Sequence, residues 1–72
     1  ERRQELMKLV RKMAEETRIR MRIERDEVNK FVNKETDKNQ KFRAKEDLQR
    51  LVDKFNEEID LTVESKIAEI SR

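Results

Sequence analysis

Seventy-two residues, half of them Asp, Glu, Lys or Arg and a third hydrophobic, contain no Cys, His, Gly or Pro. Disulfides and thiolate or imidazole metal sites are thereby excluded, so a chain this short must draw its stability from helix packing or a partner. The formal charge of +2 conceals an asymmetry: residues 1–45 carry fifteen Lys/Arg against nine Asp/Glu, and residues 46–72 four against eight, which makes a polyanion a candidate partner for the first half only.

In the absence of helix breakers, this composition predicts long helix. In the first half, Leu6, Val10, Met13, Thr17, Met21, Val28 and Phe31 recur at steps of three and four, interrupted at Glu24. Such spacing places them on one face of a helix over about residues 2–33, with Met13 and Met21 as core filler. Leu9, Ala14 and Val32 widen the seam, while Ile19 and Ile23 fall to one side.

The same helix carries a second pattern. Arg11, Arg18, Arg22, Arg25 and Asn29 are spaced at 7, 4, 3 and 4 residues, and at ~100° per residue they fall within an arc of roughly 60°. The centre of this stripe lies roughly 110° from the centre of the apolar seam, so it can face outward while the seam packs. Arg18 and Arg22 form a like-charge i,i+4 pair, which costs an isolated helix ~0.2 to 0.5 kcal/mol. Every basic residue from 18 to 25 is Arg, the side chain whose planar fork grips phosphate or stacks on a base. A solvated charged face is the plain alternative. With no aromatic residue on the stripe, groove and backbone contact with RNA is expected over the reading of single strands.

From Asn33 to Lys41 every residue is polar. A turn is expected at about residues 34–39, with Thr36 or Asp37 as a cap for the next helix. A second helix over about 40–71 then carries Ala44, Leu48, Leu51, Val52, Phe55, Ile59, Thr62, Val63 and Ile70 on one seam, with Lys66 its one charged member. Two seams of similar length joined by a polar turn predict an antiparallel hairpin. One uninterrupted helix is the alternative, disfavoured because its seam would pass through Glu35, Lys38 and Lys45. Two helices leave the outer flank of each seam wet, so a third helix, from the same protein or a partner, is expected to cover them.

No catalytic constellation is legible. Ser65 and Ser71 lack the context of a nucleophile turn, and no glycines are present to cradle a phosphate. Neither enzymatic activity nor a cofactor is expected. The carboxylates have a simpler use at i,i+4, as in Glu16 with Arg20 and Glu46 with Arg50. No apolar run approaches the ~20 residues of a membrane span, so a soluble protein with no membrane partner is expected. Because the chain opens on Glu1 and not on Met, it is expected to be a processed product or part of something longer.

Several stretches resemble the C-terminal, helical part of ribosome recycling factors. Glu1-Arg2-Arg3-Gln4-Glu5-Leu6, Val10-Arg11-Lys12-Met13-Ala14-Glu15-Glu16-Thr17-Arg18 and Arg22-Ile23-Glu24-Arg25-Asp26-Glu27-Val28-Asn29 look like that family's second long helix. Glu46-Asp47-Leu48-Gln49-Arg50-Leu51-Val52-Asp53-Lys54 and Lys66-Ile67-Ala68-Glu69-Ile70 look like its last. The family is L-shaped, a three-helix bundle with a small β-rich domain inserted between the first and second helices. The resemblance therefore implies an all-α chain: an antiparallel two-helix hairpin, part of a three-helix bundle whose first helix is missing. It also implies a partner, the ribosome. Recycling factors lay the bundle across large-subunit ribosomal RNA at the subunit interface and, with an elongation factor G type GTPase, split post-termination ribosomes. The family's RNA-contacting arginines carry over to Arg22 and Arg25, with Arg18 and Asn29 as neighbours on the same face. Two departures stand out. Asp26 replaces a second Arg usual after the position of Arg25, and the turn is several residues shorter than in bacterial members. Such drift suggests an organellar member, for example in the mitochondrial matrix, with the bacterial cytoplasm as the alternative. A structural or assembly protein of an organellar ribosome, without splitting activity, is the competing function. An upstream helix and a β-rich segment in the full gene would separate the two.

Overall fold

The computed structural model describes all 72 residues as two helices, α1 over Arg2–Val32 and α2 over Lys38–Ser71. Without Gly or Pro, nothing interrupts runs of 31 and 34 residues, and a rise of ~1.5 Å per residue makes each nearly as long as the 55 Å long axis of the molecule. They run antiparallel, so the two chain ends meet: the Arg3 guanidinium donates to the Arg72 carbonyl at 3.2 Å. The hairpin expected from the paired seams is the fold observed.

A glycine-free sequence makes the turn by tightening α1. Asn33 stays right-handed at φ −64°, ψ −15°, and the Lys34 and Glu35 N–H groups donate to the Phe31 and Val32 carbonyls at 3.1 and 3.0 Å. These three-residue bonds close the last turn without a left-handed residue, and none occurs anywhere in the chain. Of the two cap candidates, Asp37 serves: its carboxylate accepts from the N–H groups of Asn39 and Gln40 at 2.9 and 3.3 Å. A Glu35 carboxylate oxygen accepts in turn from the Asp37 N–H at 3.1 Å, holding the start of α2 in place.

The helices meet along a line that the apolar seam only partly predicts. Ala14 and Val52 are the two buried residues, small side chains that let the backbones approach. The half-buried residues of α1 are Met7, Val10, Arg18, Met21, Arg25, Asn29 and Val32. At ~100° per residue this line lies roughly 70° from the centre of the apolar seam and roughly 40° from the arginine stripe. Two helices can cover only the strip where they touch, so the rest of the seam stays open. Leu6, Met13, Val28 and Phe31 are exposed, the last at 76%, and core filler describes Met21 but not Met13. Met13 and Val28, with Leu51 and Phe55 of α2, also exposed, border an apolar groove along one broad face. Two adjoining hollows of about 510 and 420 Å³ share Thr17 and Phe55 at their junction. Thr17 satisfies its hydroxyl on the Met13 carbonyl at 2.9 Å and so adds no unpaired donor there.

The expected i,i+4 pairs, Glu16 with Arg20 and Glu46 with Arg50, are not formed. Ion pairs within a helix are instead at i,i+3, Glu15 with Arg18 at 3.8 Å and Lys66 with Glu69 at 3.6 Å, and between the neighbours Arg25 and Asp26 at 3.4 Å.

Candidate nucleic-acid interface

Beside the apolar groove, and sharing Arg25 with its edge, lies the face that carries the arginine stripe. The helical period brings Arg11, Arg18, Arg22, Arg25 and Asn29 to one side of α1, and α2 divides them. Arg11 and Arg22 are exposed, whereas Arg18, Arg25 and Asn29 are half-buried along the line of contact. The stripe is therefore not wholly outward, as its angle from the seam suggested. Its inner edge leans on α2, because the helices meet between seam and stripe and not on the seam itself.

This division separates the arginines electrostatically. Arg18 reaches across to α2 and pairs with the Asp60 carboxylate, with Glu15 on its other side at 3.8 Å, so two carboxylates oppose its charge. Arg25 is held only by its neighbour Asp26 at 3.4 Å, a long contact for a charge-assisted hydrogen bond. Arg11 and Arg22 form no ion pair and present their full charge to solvent. Arg20, which is not part of the stripe, borders the apolar groove, as does Arg25.

Residues of α2 join this face, and the reading of the first helix alone missed them. Asn56 closes a small hollow of about 60 Å³ with Arg18, Met21, Arg22 and Arg25. Nearer the turn, Lys45 and Gln49 of α2 face Arg25, Asn29 and Asn33 of α1 across an open cleft of about 330 Å³. Folding the sequence back about its polar turn would have placed them there, since an antiparallel hairpin sets residues just after the turn beside those just before it. The arrangement suits an extended polyanion: unpaired guanidinium groups over one helix, amides and a lysine supplied by the other. It holds no metal-type cluster, for nowhere do three or more His, Cys, Asp or Glu side chains converge. No helix is long and apolar enough to cross a membrane.

The family model described as ribosome recycling factor matches residues 1–70. The chain belongs to the ribosome recycling factor family. Its relatives include the ribosome-recycling factors of Syntrophobacter fumaroxidans, 37% identical over 75 residues, of Aquifex aeolicus, 40% identical over 72 residues, and of Heliobacterium modesticaldum, 43% identical over 75 residues. Each alignment covers 97% of this chain but only 39 to 40% of the relative, so the chain spans about two fifths of the length of the recycling factors it matches. All three relatives are bacterial. No solved structure matches the chain significantly.

Proposed function

We propose that this hairpin is the ribosome-binding part of a recycling factor, docking on large-subunit ribosomal RNA at the subunit interface through the Arg11 to Asn29 face. The observation that carries the reading is the pair of unopposed arginines, Arg11 and Arg22, neither of which lines the apolar groove, beside the lightly held Arg25 at the groove's edge. Arg18 has a different part: with Asp60 it clasps the hairpin and sets the angle at which the other arginines leave the surface. Asn29 supplies an uncharged donor and acceptor next to them.

Membership of the family supports the wider setting. Within the longer protein, a first helix fills the apolar groove and completes a three-helix bundle domain, and an inserted domain extends from it. The complete factor then works with an elongation factor G type GTPase to separate the subunits after termination. Its contribution is binding and mechanical, with no covalent step of its own. Bacterial relatives favour the cytoplasm of a bacterium over the organellar setting.

Replacing Arg22 and Arg25 together by Ala tests the docking face. Affinity for isolated large subunits falls, and the salt dependence of binding flattens by roughly two counterions, at ~0.9 for each phosphate of a duplex that is no longer neutralised. Helix content by circular dichroism stays as in the parent. Unchanged affinity in the double variant would remove the RNA-docking claim.

A further inference from the structure

The cleft near the turn differs from the rest of the arginine face in what lines it. Arg25 and Lys45 are its only charged residues, and Asn29, Asn33 and Gln49 add side-chain amides. Lys45 forms no ion pair. Two carboxylates contact its lining residues: Asp26, beside Arg25 at 3.4 Å, and Asp53, which accepts from the Gln49 amide nitrogen at 2.9 Å and leaves the Gln49 oxygen to accept from a ligand. At about 330 Å³ the cleft is at the small end of ligand pockets, a size suited to one nucleotide.

Outside the lining of the cleft, α2 carries an aromatic ring on the same face as two of the cleft's residues. Phe42 precedes Lys45 by three residues and Gln49 by seven, so the three share one face of α2. Phe42 is 64% exposed, and it lies on the side of α2 away from the apolar groove, so a helix filling that groove would not cover it. An exposed ring sharing a helix face with a cation and an amide of the cleft has the composition of a site for an unstacked nucleotide, in which the base lies on the ring and the phosphate meets the cations.

Resting on the RNA-docking reading above, we propose that Phe42, Lys45 and Gln49 with Arg25, Asn29 and Asn33 form a pocket for a single unpaired nucleotide of the RNA. Phe42 stacks on the base, Lys45 and Arg25 hold its phosphate, and the amides meet the base edge. The arginine stripe follows the backbone of paired RNA, and the pocket fixes its register by catching a bulged residue. An aromatic platform absent from α1 is thus supplied by α2.

Fluorescence anisotropy with two labelled RNA hairpins, identical except for one bulged adenosine, tests the pocket. The 72-residue chain binds the bulged RNA at least about fivefold more tightly, as expected when one base gains an aromatic partner. Phe42→Ala and Phe42→Leu abolish the preference, Phe42→Trp retains it, and Lys45→Gln weakens binding to both RNAs. No preference in the parent chain, or a preference that survives Phe42→Ala, overturns the pocket. An Arg11→Ala, Arg22→Ala double variant, at residues outside the cleft, separates the two claims. If it loses affinity for both RNAs while the Phe42 variants match the parent, only the pocket fails; if it binds both like the parent, the docking face fails. Circular dichroism of each variant checks that the helices remain.

Discussion

At the scale of single residues, charge on the arginine face is decided by which carboxylate each guanidinium can reach. Arg18 is opposed by Glu15 and Asp60, Arg25 only by Asp26, and Arg22 by none. Asp26 is thus the one acidic side chain that restrains an arginine not already tied to the other helix. Exposed pairs of this kind contribute ~0.2 to 1 kcal/mol, so releasing Arg25 has a bounded effect. Asp26→Asn tightens binding to large subunits by up to about fivefold at low ionic strength, and the gain shrinks as salt is added; titrations at two salt concentrations measure it. That Arg22 and Arg25 share a face was legible from spacing alone, since a helical period needs no tertiary information. The clasp between Arg18 and Asp60 was not, because it joins residues 42 positions apart and depends on how the two helices are rotated about their axes.

At the scale of elements, both helices and the hairpin connection were legible because periodicity and a polar interval suffice to draw them. The means of turning was not. A sequence without glycine gives no helix-stop signal of the usual kind, and only the structure reveals that Lys34 and Glu35 close α1 with three-residue bonds. The stronger boundary is at the start of α2, where Asp37 satisfies two free N–H groups. Asp37→Ala therefore destabilises the hairpin by about 1 kcal/mol, within ~0.5 to 2 for the loss of such a cap, read as a lower midpoint in thermal or urea unfolding. Which strip of each apolar seam packs was also hidden. The seam is wider than one helix contact, and the choice fell to the place where Ala14 and Val52 allow close approach.

At the scale of the whole molecule, two buried residues out of 72 make an incomplete core, as the unmatched flanks of the seams foretold. Phe55 sits at the junction of the two hollows in the groove and remains 46% exposed, so its energetic weight depends on whether the groove is filled. In the 72-residue chain Phe55→Ala shifts stability little, within about 0.5 kcal/mol of a surface change plus what its buried half contributes. In a longer factor whose first helix fills the groove, as proposed, the same substitution costs ~3 to 5 kcal/mol. Denaturant titrations of both lengths compare the two directly, and equal losses would mean that nothing covers Phe55. Two helices side by side also give the hairpin the proportions of a ribbon, its backbone trace spanning 55 Å by 17 Å by 7 Å. A strip so thin flexes far more easily through its thickness than across its width, and a third helix laid along the groove would thicken it in the one direction in which it is weak. The covering helix would then act as a stiffening rib, turning a pliable strip that conforms to a surface into a strut that can transmit a push along its length.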